Sequence, residues 1–62
     1  MKNTTKIIIV KVSDPRVWYK NMKGKTYHVY GDIDNPTVNN GYLTCVENSS
    51  CIKEDDVIYI TN

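Results

Sequence analysis

TKIIIVKV, residues 5–12, is β-branched at every position but its two lysines. Branched side chains lose little on a pleated surface, so the segment is the strongest strand of the chain. Alternation sends Ile7 and Ile9 to one face and Ile8, Val10 and Val12 to the other. With both faces apolar, the strand is expected to be covered on both sides, or to lie at a barrel corner or a dimer seam. Ser13-Asp14-Pro15 ends it, because proline cannot serve a central ladder.

Outward from this strand the pattern stays β. Residues 16–24 (RVWYKNMKG) have no clean period. They read as a long structured loop with one helical turn, Asp14 as its cap and Pro15 in the first helical position. Residues 25–30 (KTYHVY) form a second strand, broken by GDIDNP. Asn39-Asn40-Gly41 is a strong turn signal. Residues 41–47 (GYLTCVE), 51–53 (CIK) and 57–60 (VIYI) are further strands, and Glu54-Asp55-Asp56 suits a tight helical turn. The expectation is an all-β fold: a five-stranded, strongly bent barrel with a long first loop and a short helical turn before the last strand. Closing a sheet in this way removes aggregation-prone edges.

The chain has 62 residues, which makes residues 1–62 one small domain. Chains of this size bury only about 60% of their unfolded surface and are marginally stable. Two cysteines cannot build a dense disulfide framework. The apolar run 7–10 is too short for a secretory signal or a membrane span, so a cytoplasmic protein with reduced Cys45 and Cys51 and no membrane contact is expected. Tyr42-Leu43 and the strands at 7–10 and 57–60 carry more apolar surface than one tiny barrel can cover. That surplus points to a homodimer.

The net charge of +1 conceals an asymmetry: residues 1–30 carry seven Lys and Arg against Asp14, a net of +6, and residues 31–62 carry Lys53 against six acids, a net of −5. The halves either neutralise one another across the fold or present a charged face to a partner.

The order KVSDPRVWYKNMKGKTYHV, then GYLTCVE, then IKEDDVIYI resembles very small proteins from bacteriophages of Firmicutes with Src-homology-3-like barrels. The shared elements are a first strand, Trp18-Tyr19, Gly24-Lys25 leading into an aromatic strand, a Tyr-containing strand, and Asp56 ahead of the last strand. The resemblance implies that barrel and a phage or prophage origin. It further implies a protein that binds and inhibits a host protein, antiviral defence included.

VWYKNMKGKTYHVY, residues 17–30, holds the only Trp and His, three of the five Tyr and three Lys. Trp and Tyr are hot-spot residues at interfaces. Neighbours on an extended chain face opposite ways, so one of Trp18 and Tyr19 should be buried, and Tyr19 is taken as the exposed one. Arg16, Trp18, Tyr19, Lys20, Lys23 and Tyr30 form the expected contact patch for a host protein. The same basic and aromatic mixture could take single-stranded nucleic acid, although the domain is not basic overall.

Other chemistries are less favoured. Cys45 and Cys51 would bridge if a turn centred on Asn48 set them opposite, but free thiols are expected. One His and two Cys lack zinc spacing, and Asp32-Ile33-Asp34-Asn35 lacks most of a calcium loop, so no metal or cofactor is expected. His28 with a cysteine could form a nucleophilic pair only with an orienting third group, in a fold with no room for a deep pocket. A non-enzymatic binding module follows. Glu54-Asp55-Asp56 is read as a capped turn rather than a mimic of phosphates.

Overall fold

The computed structural model describes residues 3–60. In chain order the elements are β1 (Thr4–Ile9), β2 (Thr26–Asp32), β3 (Asn35–Pro36), β4 (Tyr42–Thr44), β5 (Cys51–Lys53), a single 3-10 turn (Glu54–Asp56) and β6 (Val57–Tyr59). Every pairing is antiparallel. One sheet runs β3-β2-β1-β6, and β4 and β5 form a separate hairpin. The hairpin joins β2 through the Val29–Cys45 bridge and the Val46 N–H to His28 carbonyl bond of 2.7 Å. The result is an all-β, strongly curled half-barrel.

β1, the strongest strand by composition, lies inside the sheet between β2 and β6. Thr5, Ile7 and Ile9 point inward, and Ile7 and Ile9 are fully buried with Val29, Leu43, Cys45 and Ile52. Burying each of the large aliphatic side chains contributes roughly 1.5–3 kcal/mol, so this cluster is the main cohesive element of the domain. The strand stops at Ile9 instead of running to residue 12. The Val10 and Lys11 amides both turn aside to the Asp56 carbonyl, at 2.9 and 3.2 Å. Two bonds between Ile9 and residues 24–25 then close the base of the first loop.

The outer face of β1 is less covered than its inner one. Ile8 is half-buried and pairs with Ile58, which is 54% exposed, and Val10 is 38% exposed. Among the described residues the outer face of this strand is therefore only partly covered.

β2 runs past its expected end at Tyr30, through Gly31 and Asp32, and β3 adds a two-residue strand that the sequence pattern did not suggest. Gly31 makes this possible. Its φ is +106°, and a Cβ there would drive into the Thr37 amide nitrogen and Pro36. Pro36 is tolerated because β3 is a sheet edge. Asn40 and Gly41 have φ of 53° and 84°, and Asn39 and Tyr42 exchange two backbone bonds across them. That is the two-residue hairpin turn expected of Asn-Gly.

The two glycine turns should differ under substitution. Gly41→Ala meets no neighbour and should cost about 1–2 kcal/mol, the usual penalty for a side chain with positive φ. Gly31→Ala adds a collision with backbone and should cost distinctly more. Urea unfolding of both variants, followed by Trp18 fluorescence, measures the difference.

Candidate functional site: the first loop and its anchor

The loop between β1 and β2 contains no helical turn. Backbone bonds Val17 to Asp14, Lys20 to Val17, Met22 to Tyr19 and Lys25 to Met22 describe a string of tight turns. Asp14 does not cap a helix. Its carboxylate accepts the Arg16 amide at 2.9 Å and the Arg16 guanidinium at 3.0 and 3.1 Å. These bonds hold the Asp14 carboxyl down at about 2.

Asp56 anchors the loop from inside the fold. It is fully buried, and its Oδ2 accepts the Tyr19 hydroxyl at 2.6 Å, the Ser13 hydroxyl at 3.2 Å and the Ser13 amide at 3.4 Å. Burial would raise this carboxyl. The bonds from Tyr19 and Ser13 outweigh burial and hold it below the ordinary range. The Tyr19 oxygen in turn accepts the Lys53 amide at 3.2 Å. Burial first, and the carboxylate bond second, push the Tyr19 phenol up to about 12.

The expected contact patch is therefore divided. Tyr19, taken as exposed, is only 1% exposed and belongs to the core, because the carboxylate that accepts its hydroxyl lies inside. Trp18 is half-buried instead. It donates its indole N–H to the Cys51 carbonyl at 2.8 Å and packs edge-on against Tyr19 and Tyr27. Arg16, Lys20 and Lys23 are exposed on the loop. Tyr30 pairs with Thr4 at the far end of β2 from the loop, so it does not join them.

The expected neutralisation between halves does not occur by pairing. Among the described residues the ion pairs are Arg16–Asp14 at 3.0 Å and His28–Glu47 at 2.8 Å, and neither contains a lysine. Lys11, Lys20, Lys23 and Lys25 stay exposed and unpaired around the loop. The acids Asp32 and Asp34 lie at the opposite end of β2.

The second polar cluster is His28, Glu47 and Cys45. Glu47 accepts the His28 ring at 2.8 Å and the His28 amide at 2.9 Å, and the Cys45 thiol at 3.5 Å. Burial works against the Glu47 carboxylate, but these bonds hold its carboxyl at about 2. The thiol faces Glu47, with no bond to His28, and is pushed up mainly by burial, which suits a core residue better than a nucleophile. The strand register sets Cys51 opposite Thr44, so Cys45 points inward and Cys51 outward, on opposite faces. The Cys45 amide bonds the Ser50 carbonyl at 2.8 Å, so the turn is one residue shorter than a bridge would need.

Glu54 accepts the Tyr59 hydroxyl at 2.8 Å, which leaves Asp55 as the one exposed acid of the 3-10 turn. The amide that Asp56 reaches belongs to Ser13, not to its own turn. Among the described residues no three His, Cys, Asp or Glu side chains gather as a metal set, and no helix is long and apolar enough to cross a membrane. No protein-family profile, curated protein or solved structure matches the chain.

Both ends of the pH scale should reveal the anchor. Asp56 and Glu47 have lowered folded values, so their contributions are present above the unfolded carboxyl range near 4 and are lost as pH falls below it. Tyr19 is raised from 10.0 to about 12, so its contribution is intact below 10 and is lost as pH climbs toward 12. Tyr19→Phe should cost about 1–3 kcal/mol at neutral pH, by stranding a buried carboxylate. It should also flatten the alkaline limb. Asp56→Asn should flatten part of the acid limb. Thermal unfolding from pH 3 to pH 12 checks both.

Proposed function

We propose that this chain is a non-enzymatic protein-binding module with a Src-homology-3-like barrel. The reading takes it as phage-encoded and acting in the host cytoplasm, where it occupies and inhibits a host or antiviral-defence protein. The order of pairing supports the barrel. A first strand pairs with both the second and the last, a long loop separates the first two, and a 3-10 turn precedes the last.

One observation carries the binding reading. Lys20 and Lys23 are exposed and unpaired on a loop that Asp56 and Tyr19 hold in place. Cations on a preorganised loop lose little entropy when they meet a partner, and they select an acidic surface. Trp18 stands half-buried beside them as the aromatic anchor, and Arg16 adds a cation already oriented by Asp14. The half-open outer face of Ile8, Val10 and Ile58 is where a second copy of the chain would sit in a homodimer.

The same unpaired lysines favour a second reading, an accessory barrel for nucleic acid. Salt separates the two, because phosphate binding depends on counterion release and collapses between low and moderate salt.

A tagged pull-down from bacterial lysate, with and without nuclease, tests the proposal. The wild type should retain one host protein after nuclease. Lys20→Glu with Lys23→Glu should abolish that capture while changing stability by only about 0.5 kcal/mol, as exposed sites do. Capture that vanishes with nuclease would transfer the loop to nucleic acid.

A further inference from the structure

Two open grooves, of about 550 Å³ and about 500 Å³, meet at Thr44. Tyr30 lines the first, with Asn3, Asn35, Thr37 and Asp32 around it. Tyr42 lines the second, with Asn39 and Asn40. Each groove is thus lined by one tyrosine together with asparagines, and Thr44 lines both. Among the described residues neither groove is lined by Lys or Arg. A phosphate or carboxylate ligand in the first groove would meet Asp32.

The lining selects a different ligand. It is taken as neutral, because among the described residues the linings hold no cation and the first holds Asp32. It must carry many hydrogen-bonding groups, because amides and hydroxyls that lose water without a partner cost free energy. It must also offer an apolar face to each ring, and repeat so as to fill both grooves. Sugar rings joined in a chain meet all four conditions: each presents C–H bonds on one face and hydroxyls around its rim.

Both walls are built before any ligand arrives. The Thr5 hydroxyl holds the Gly31 carbonyl at 2.6 Å, the Gly31 amide holds the Asn3 carbonyl at 2.8 Å, and the Thr37 amide holds the Tyr30 carbonyl at 3.2 Å. The tight Asn40-Gly41 turn fixes the other wall. Preformed sites of this kind are the usual form of small-ligand sites.

We propose that the two grooves form one site for a neutral oligosaccharide, with the Tyr30 and Tyr42 rings against separate sugar units and Thr44 bonding between them. This surface is separate from the basic loop and does not depend on what that loop binds.

An array of neutral glycans identifies the sugar, and amide NMR titration with chitotriose, cellotriose and maltotriose locates it. Binding should be saturable at millimolar concentration. It should shift the amides of Asn35, Asn39, Asn40 and Thr44 and leave Lys20 and Lys23 in place. Tyr42, 40% exposed and outside the core, can be removed safely. Tyr42→Ala should weaken binding about three- to tenfold, the range of one aromatic contact. Thr44→Val, which keeps shape and loses the hydroxyl, should weaken it as well, whereas Lys20→Glu with Lys23→Glu should not. Silence across the array and with all three trisaccharides would overturn the proposal. So would shifts outside the grooves, or a Tyr42→Ala variant that binds like the wild type. A response only to a neutral Asn- and Ser-rich peptide would assign the grooves to a protein partner instead.

Discussion

The hydrogen bond of 2.6 Å between the Tyr19 hydroxyl and the buried Asp56 carboxylate is the constraint on which this small fold depends. The two residues lie 37 positions apart. Their bond fastens the first loop to the 3-10 turn and so closes one side of the half-barrel. A buried carboxylate is expensive unless it is fully bonded. Tyr19 and Ser13 supply Oδ2 with donors, while Oδ1 is buried with no hydrogen-bond partner among the described residues. Removing one donor therefore harms the fold more than one hydrogen bond would suggest, because the carboxylate remains behind with less compensation.

The anchor explains why so long a loop carries order without helix or strand. Its backbone bonds are local turns, and local turns alone are weak. Asp56 acts twice: its side chain holds Tyr19 and Ser13, and its carbonyl takes the Val10 and Lys11 amides. The end of β1 and the body of the loop are thus fixed by one residue. The exposed lysines ride on this frame, and among the described residues none of them is held in an ion pair.

The sequence made most of the strands legible because their cues are local. The run 5–12, the Asn-Gly turn and the acidic turn before the last strand each act through a few neighbouring residues. The misses came from long-range competition. Nothing near Val10 says that its amide will leave the ladder for residue 56. Gly31 reads as a breaker, yet its positive φ lets β2 continue into β3. The Trp18-Tyr19 pair shows the same limit at the candidate site. Alternation required one of the two to turn inward, but the choice depended on where a buried acceptor lay. The signal was present in Asp56 ahead of the last strand, a carboxylate that needed a donor. Tyr30 was grouped with the loop because it is close in sequence, whereas a strand carries residues apart by about 3.3 Å at each step.

Trp18 joins the two surfaces that this reading separates. Its indole donates to the Cys51 carbonyl on β5, and Cys51 lines the second groove with Tyr42. Its ring also packs on Tyr19, which Asp56 holds. A ligand that moved β5 would move Trp18, and a partner that moved Trp18 would act back on β5. Thermodynamic linkage makes such an influence reciprocal. For that reason Trp18 cannot tell the two surfaces apart: its loss would disturb the core, the loop and the groove together. Lys20 and Lys23 on one side, and Tyr42 on the other, each touch a single surface, so any coupling between the surfaces has to be read from those residues.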